Sequence, residues 1–309
     1  MEPIIDPVSK EDLIRELSQD KFVRFTNYGN NEIYIVDYKN SPCVMREIGR
    51  LRELSFRDAG GGTGKSCDID DFDTAPVPYQ QLIVWSKADS EIIGGYRFID
   101  CQKVPLKSNG QPELSTTEIF NFSDTFIKDY LPQTIELGRS FIQPKFQSKQ
   151  NFKVAIFALD NLWDGLGAIY KVNSHRVKYF FGKVTMYTSY NAIARDYLLA
   201  FINKYFKDKD NLVTVFKPIS HSMSYETAVE IFNAGNYKDD FKILNRKVRD
   251  LGENIPPLIN AYMNLSMTMK MFGTALNPFF GDVEESGILI NVDDVYPEKK
   301  SRHIDTYNN

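Results

Sequence analysis

Carboxylates and arginines recur at four places in the sequence, each in otherwise apolar surroundings, and these residue types can carry proton transfer and anion binding. A carboxylate can accept a proton from an incoming group, while an arginine can hold a carboxylate through two parallel hydrogen bonds. Charged side chains inside a sheet are costly unless they are paired, so arginines in strand-like segments are expected to find carboxylate partners. The four groups are Arg52 with Phe56; Asp68, Asp70, Phe72 and Asp73; Arg97; and Glu136, Gly138, Arg139 and Ser140.

A glycine interrupts the last of these groups, at Gly138 between Glu136 and Arg139. In a regular strand these two charged side chains would point to opposite faces, because side chains alternate. An internal glycine is a common mark of a β-bulge, and a bulge here would bring both side chains to one face. It would also free a backbone N–H, which could donate to an oxygen atom on which negative charge develops.

The run from Ala59 to Ser66 reads Ala-Gly-Gly-Gly-Thr-Gly-Lys-Ser and fits a loose phosphate-loop pattern. That motif needs a strand before it and a helix that begins at its lysine, so that backbone amides meet the phosphates. Here a predicted helix comes before the run, four aspartates follow it directly, and Pro76 and Pro78 come next. We therefore disfavour nucleotide hydrolysis and interpret the run as a mobile loop beside the site.

The composition limits the classes of function. The chain has 309 residues, a formal net charge of -4 and a pI of about 5.6, which is not typical of a nucleic-acid-binding protein. The three cysteines and three histidines are scattered, so we expect neither a disulfide framework nor a metal site. We see no signal peptide and no apolar run of the roughly 20 residues that span a bilayer. The protein is expected to be cytoplasmic, with contact to a membrane surface left open.

The order of helical and strand-like patterns predicts a mixed sheet with helices on its faces, an α/β (α+β) fold. We divide the chain into a core, residues 1–220, and a C-terminal extension, residues 221–309, which packs on the core. The extension is predicted to be mostly helical, with a helix over Pro257–Phe272 and one late strand at Gly287–Val292. The elements predicted around the site are the helices Val44–Phe56 and Phe152–Tyr170, the hairpin Gln81–Trp85 and Glu91–Ile99, and the strand Ile135–Ile142.

These separated motifs resemble, in order, the signature of the acyl-homoserine-lactone synthases. They are closer still to the N-acyltransferases of ornithine-lipid and glycine-lipid synthesis, often labelled hemolysin-like, in which a glycine-rich loop precedes Asp-x-Asp-x-Phe-Asp and a later strand reads Glu-Leu-Gly-Arg-Ser. The resemblance covers roughly Ile33 to Val295. The matching residues are Arg52, Phe56, Asp68-x-Asp70-x-Phe72-Asp73, Gly94-Gly95-Tyr96-Arg97, Glu136-Leu137-Gly138-Arg139-Ser140 and Ile255–Tyr262.

The resemblance implies a GNAT-like acyl-CoA N-acyltransferase fold with a bulged central strand. It implies transfer of a long-chain acyl group, with or without a 3-hydroxyl, to the α-amine of glycine, ornithine or a similar small amino acid. This transfer would be the first step of amino-acid-lipid synthesis. No tightly bound cofactor is expected, because Gln147–Phe152 lacks the glycines that cradle pyrophosphate in coenzyme A-dependent relatives. A thioester of acyl carrier protein therefore fits better than acyl-CoA as the co-substrate, and both donors stay open.

Each residue has a chemical role and a structural alternative. Glu136 is the preferred general base and Asp70 the second candidate, while both could be salt-bridge partners that stiffen the site. Arg139 is assigned to the catalytic residues together with Glu136 and Asp70. Arg139 and Arg97 could hold the carboxylate of the acceptor amino acid, or they could serve as counter-ions to the aspartates. Direct attack by the amine is preferred, because the acids beside Cys67 disfavour its thiolate. Substrate binding is assigned to Arg52, Phe56, Asp68, Phe72, Asp73, Arg97, Gly138 and Ser140.

A lysine-rich segment follows the bulged strand. Because carrier proteins are strongly acidic, we assign carrier-protein docking to Lys145, Lys149 and Lys153. A solvated helix face that happens to be rich in lysine explains the same pattern equally well. As an alternative function, the protein would be a non-catalytic partner of lipids or membranes.

Overall fold

A computed structural model describes residues 1–147 and 152–307, apart from the side chains of 152–156, 225 and 228. The chain forms two compact units that interleave along the sequence. The first unit consists of Met1–Ser115, Leu131–Lys178 and Pro297–Asn309, and the second of Thr116–Tyr130 and Tyr179–Tyr296. The predicted division into a core of residues 1–220 and an extension of residues 221–309 cuts the chain once and does not describe these interleaved units. That division stays a prediction.

The first unit is built on an antiparallel sheet with helices packed against it. Its strands, numbered along the whole chain, are β1 Phe22–Phe25, β2 Glu32–Val36, β3 Gln80–Ser86, β4 Glu91–Asp100 and β6 Thr134–Ile142. They are hydrogen-bonded in the order β1-β2-β3-β4-β6. Its helices are α1 Lys10–Glu16, α2 Pro42–Asp58, α3 Asp71–Thr74, α4 Phe152–Asn173 and α9 Pro297–His303.

The helices α2 and α4 lie on opposite faces of this sheet. Leu82 of β3 packs against Gly165 of α4, where a Cβ atom would come within 2.5 Å of the leucine side chain. The preceding residue, Gln81, contacts Arg52 of α2. Because successive side chains of a strand point to opposite faces, the α2 face is the one that carries the charged residues of the strands.

The second unit contains β5 Phe120–Phe122, β7 Tyr179–Met186, β8 Val213–Val215, β9 Lys270–Asn277 and β10 Val283–Asn291. Strand β10 lies between β7 and β9, antiparallel to both, and β5 pairs with β8. The helices of this unit are α5 Ala192–Phe206, α6 Tyr225–Glu230, α7 Tyr237–Asp250 and α8 Pro257–Met263. Among the helices within the described ranges, none is long and apolar enough to cross a membrane.

The helix predicted over Pro257–Phe272 ends at Met263, and β9 begins at Lys270, so the prediction of one late strand is wrong. The physical reason lies in the spacing of the methionines. Met267, Met269 and Met271 alternate with polar residues, and this period of two is that of a strand. The chain accordingly buries Met269 and Met271, each 4% exposed, as it enters β9.

Candidate active site

Arg52 is one of the fully buried charges of the site, and α2 positions it. Its side chain is fully buried and donates hydrogen bonds to Asp73 Oδ2, at 3.0 Å, and to the backbone oxygen of Asp68, at 3.2 Å. A third bond goes to the side-chain oxygen of Gln81. A buried arginine is tolerable only with such a set of partners. Arg52 therefore ties together α2, β3 and the loop that carries Asp68, Asp70 and Asp73, which we call the acidic loop.

A glycine on α2 lets the acidic loop approach the helix. The amide of Asp68 donates to the backbone oxygen of Gly49 at 3.0 Å. A Cβ atom on Gly49 would lie 2.5 Å from Cys67 Sγ and 2.9 Å from Ile69, so a side chain there would push the loop away. Burial, followed by the charge of Asp68, raises the pKa of Cys67 to about 11, which agrees with the choice of direct amine attack over an acyl-cysteine.

The acidic loop ends in a one-turn helix, α3, where the sequence had indicated a loop. Asp70 is its N-cap: Oδ1 accepts from the amides of Phe72, at 3.0 Å, and Asp73, at 3.1 Å. Asp73 Oδ2 in turn accepts from the amide of Asp70 at 3.2 Å, which completes a capping box. The prolines that argued against a helix begin at Pro76, one turn too late to prevent it. The helix therefore presents both aspartates to the sheet.

Asp70 pairs with two arginines from different strands. Its Oδ2 lies 2.6 Å from Arg97 Nη1 and 3.6 Å from Arg139 Nη2. Burial by itself would raise the pKa of Asp70, but the charge and hydrogen bond of Arg97, with smaller contributions from Arg139 and Arg52, hold it well below its ordinary value. Asp70 is thus a carboxylate at neutral pH and a poor proton acceptor.

Arg97 lies at the centre of the cluster, on β4. Its Nη1 is 3.5 Å from Asp73 Oδ2, in addition to the bond with Asp70. Tyr79 covers its guanidinium carbon at 4.8 Å from the ring centroid, and Phe72 lies farther away at 6.0 Å. Burial would lower the pKa of Arg97, but Asp73 and then Asp70 raise it above the ordinary value. Arg97 is therefore a permanent cation whose partners are already in place.

The predicted bulge is present in β6, one residue after the glycine. Gly138 pairs with Arg97 and Phe141 with Gly95, so two residues of β6, Arg139 and Ser140, lie opposite the single residue Tyr96 of β4. Arg139 sits in the bulge in the left-handed region, with φ 47°. Its Nε forms an ion pair with Asp68 Oδ2 at 3.0 Å. The bulge therefore brings Arg139 to the α2 face, as predicted, although the strained residue is the arginine itself.

Glu136 reaches the cluster through two residues that the sequence analysis missed. Its Oε1 accepts from the hydroxyl of Tyr79, at 3.1 Å, and from the hydroxyl of Ser115, at 2.9 Å. Burial and then Glu136 raise the pKa of Tyr79 well above its ordinary value, so the phenol stays a donor. Glu136 itself is fully buried. The position of Tyr79, directly after the acidic loop, is the signal that could have found it, while Ser115 lies in an insertion without a recognisable pattern.

The backbone at Gly138 leaves an open space above Arg97. Beyond its chain neighbours, a Cβ atom here would have Arg97 Nε as its nearest contact, at 4.0 Å. Ser140 is half-buried beside the bulge, and Phe56 is buried at the end of α2. This open space above Arg97, which we call the slot, is thus bordered by Gly138 and by the bulge of β6.

The glycine-rich run binds a carboxylate of the protein itself. Glu53, fully buried on α2, accepts from the amides of Thr63, at 3.1 Å, and Gly64, at 2.7 Å, and from the Thr63 hydroxyl at 2.8 Å. The amide of Ser66 donates to Glu2 Oε2 at 2.8 Å. The amides that would meet phosphates in a nucleotide-binding loop are therefore occupied, and the loop is anchored on both sides.

The lysines assigned to carrier-protein docking are only partly described. Lys145 is about half exposed, but its ammonium lies 3.0 Å from both carboxylate oxygens of Glu91. Lys149 and the side chain of Lys153 lie outside the described residues. Their role stays a prediction.

Known proteins resemble this chain over nearly its whole length. The family model of the acetyltransferase (GNAT) domain matches residues 51–156. A glycine N(alpha)-acyltransferase of Bacteroides thetaiotaomicron is 56% identical over 307 residues, which are 99% of this chain and 91% of that protein. Another, from Phocaeicola vulgatus, is 54% identical over 307 residues, 99% of this chain and 94% of its own. The solved structure of FeeM, an N-acyl amino acid synthase from uncultured soil microbes, covers 90% of this chain and 98% of its own, with 11% identity and a TM-score of 0.36.

The domain match and the sheet with its bulged strand define the class, a GNAT-fold acyltransferase, and confirm the predicted fold. With relatives at 54–56% identity over 99% of its length, the chain belongs to the glycine N(alpha)-acyltransferase family. The resemblance to amino-acid N-acyltransferases is confirmed, and the protein is an enzyme rather than a non-catalytic lipid-binding protein.

Proposed function

We propose that the protein transfers a long-chain fatty acyl group from a thioester to the α-amine of glycine. The observation that carries this proposal is the buried network of Arg52, Arg97 and Arg139 with three aspartates beside the bulge of β6. The names of relatives that are 54–56% identical support glycine as the acceptor.

The carboxylate of glycine binds Arg139 in this proposal. The Arg139 side chain is 13% exposed, whereas those of Arg97 and Arg52 are only 3% and 0% exposed. Asp68 and Asp70 orient the Arg139 fork, so that an incoming carboxylate meets a positioned cation. The open space at Gly138 then receives the α-carbon and the amine.

Glu136 is the proposed base, acting through water on the glycine ammonium. The amine attacks the thioester carbonyl carbon and the new N–C bond forms. As the C–S bond breaks, the nitrogen gives up its second proton to solvent, and the departing thiolate takes a proton from solvent. Asp70 is less suited to this role because its pKa is held well below the ordinary value. The backbone amide at Ser140, where β6 leaves register with β4, donates to the developing oxyanion.

The proposed donor is the thioester of an acyl carrier protein, with or without a 3-hydroxyl on the chain. The absence of pyrophosphate-cradling glycines in Gln147–Phe152 and the lysines from Lys145 onwards support this choice over acyl-CoA. The product, an N-acylglycine with a long apolar chain, suits a first step of amino-acid-lipid synthesis and contact with a membrane surface.

The test mixes purified full-length protein with acyl carrier protein or coenzyme A thioesters and with glycine, ornithine or serine, and identifies products by mass spectrometry. We expect N-acylglycine, formed faster from the carrier-protein donor. The isosteric variant Glu136→Gln is expected to lower kcat by at least about a hundredfold, and Arg139→Lys to raise KM for glycine.

Absence of product with every donor and acceptor would refute acyl transfer. Exclusive acylation of ornithine would refute the acceptor, and equal rates with both donors would refute the choice of carrier protein.

A further inference from the structure

A cavity of about 390 Å³ lies within the first unit, apart from the arginine–aspartate cluster. Its walls come from the first half of α4, the residues just before β2 and the turn between β3 and β4. Among the described residues, none of the cluster arginines or aspartates lines it. Its volume falls in the range of small-molecule sites. The lining residues that matter here are Asn31, Ser86, Ile93, Phe146, Phe157 and Asn161.

One wall of this cavity is a buried carboxamide that has no partner. Asn161 is 1% exposed, and neither its Oδ1 nor its Nδ2 has a hydrogen-bond partner in the protein. Leaving a buried polar group unpaired costs about 1–3 kcal/mol. Gly29 lies close to this carboxamide: a Cβ atom at Gly29 would be at van der Waals distance, 3.9 Å, from Asn161 Nδ2. Asn161 therefore contributes an unpaired donor and an unpaired acceptor to the residues that line the cavity.

The rest of the wall is mostly apolar, and the charged groups at its rim, Lys145 and Asp89, each have a polar partner. Ile93, Phe146 and Phe157 provide apolar surface, and the ring of Phe157 is stacked on Tyr28 with centroids 5.4 Å apart. At the rim the Lys145 ammonium is neutralised by Glu91 at 3.0 Å. The hydroxyl of Ser86 donates to Asp89 at 2.6 Å. These walls favour an uncharged ligand with an apolar body.

We propose that this cavity binds an uncharged small molecule that carries an amide group on a compact apolar body. The ligand carbonyl accepts from Asn161 Nδ2, and the ligand N–H donates to Asn161 Oδ1, which gives the two parallel hydrogen bonds of an amide pair. The phenylalanines cover the apolar body. None of the arginines or aspartates of the proposed reaction centre lines this cavity, so it serves a second ligand rather than glycine.

The test uses benzamide as the probe and methyl benzoate as its matched control, which has a similar shape but no N–H donor. Full-length protein labelled at isoleucine methyl groups reports binding through the Ile93 resonance, assigned with Ile93→Val. We expect a saturable shift of this resonance with benzamide, binding about tenfold weaker for methyl benzoate, and about tenfold weaker benzamide binding in Asn161→Leu. Arg139→Lys is expected to leave benzamide binding unchanged.

An unmoved Ile93 resonance up to the solubility limit of benzamide would overturn the proposal and leave a water-filled cavity. Equal binding of benzamide and methyl benzoate by the unmodified protein would also overturn it, and this comparison does not depend on whether Asn161→Leu folds. Failure of this site would leave the proposed acyl transfer untouched, because that reaction is assayed by its product.

Discussion

The hydroxyl of Tyr79 donates to Glu136 Oε1 at 3.1 Å while its ring lies 4.8 Å from the guanidinium carbon of Arg97. The amide of Ser115 donates to the same hydroxyl at 3.0 Å, which fixes the orientation of the phenol. One buried side chain therefore sets the position of the proposed base relative to the arginine cluster. In the proposed reaction, the face of the ring lies against the arginine cluster and its hydroxyl lies against the base.

Replacement of Tyr79 by phenylalanine removes one hydrogen bond and keeps the ring over Arg97. We expect the acidic limb of the pH–rate profile to move up by about one pH unit, because the Glu136 carboxylate loses a donor that stabilises its charged form. The profile of kcat/KM between pH 5 and 9 measures this shift. Cys101 and Ser115 also face the carboxylate, so Ser115→Ala is expected to move the limb in the same direction.

A matched control exists on β2, where the buried Tyr34 donates to Glu32 at 2.9 Å away from the cluster. Tyr34→Phe removes an equivalent bond and is expected to leave the pH–rate profile in place. An identical profile for Tyr79→Phe and the unmodified protein would contradict the role of Glu136 as the base.

The elements with a clear period were predictable, and the contacts between them were not. The helix around Arg52 and the hairpin that carries Arg97 follow from local apolar patterns, and the glycine at Gly138 marked the bulge to within one residue. The capping box at Asp70 was hidden because the nearby prolines outweighed a single helical turn. Ser115 could not be found, because its contact with Glu136 joins segments 21 residues apart and depends on tertiary packing.

Replacement by alanine is expected to have opposite effects at two glycines of the site: one variant should lose activity and keep its stability, and the other should lose stability. At Gly138 the added methyl group would come no closer than 4.0 Å to Arg97 Nε. The Gly138→Ala variant should therefore have the same free energy of unfolding as the unmodified protein. The methyl occupies the slot above Arg97, and we expect kcat/KM to fall by roughly a hundredfold, the loss that a misplacement of about 1 Å causes.

At Gly49 the methyl would meet Cys67 Sγ at 2.5 Å, so Gly49→Ala should lose about 1–3 kcal/mol through overpacking. Urea unfolding and steady-state kinetics of both variants test the pair. Full activity of a folded Gly138→Ala enzyme would show that the acceptor does not use this slot.

The backbone and the side chain of Arg139 make separable contributions. Its φ of 47° costs a non-glycine residue about 1–2 kcal/mol, so Arg139→Gly is expected to be more stable than Arg139→Ala by roughly 1 kcal/mol. Both variants lose the guanidinium and should raise KM for glycine alike. Denaturant unfolding and kinetics measured on the same samples distinguish the two effects. If Arg139→Gly were no more stable than Arg139→Ala, the backbone of the bulge would not be strained at this residue.

The acid stability of the protein should depend on Asp70. Burial would raise the pKa of Asp70, but mainly Arg97 holds it below the ordinary value of 3.8 in the folded protein. The contribution of the Asp70 charge to the free energy of unfolding is therefore complete above pH 3.8 and is lost as the pH falls through the folded pKa. Asparagine can still cap α3, so Asp70→Asn removes the charge and keeps the cap. We expect this variant to be less stable by about 2 kcal/mol at pH 7, with the difference narrowing as the pH falls below about 4.

Urea unfolding between pH 7 and pH 3 measures the difference, and Asp71→Asn, at an exposed neighbouring position, is the control that should follow the unmodified protein. A difference that stayed constant with pH would mean that the charge of Asp70 does not contribute to stability. The network would then owe its stability to Asp73, which Arg52 and Gln81 hold at 3.0 Å each.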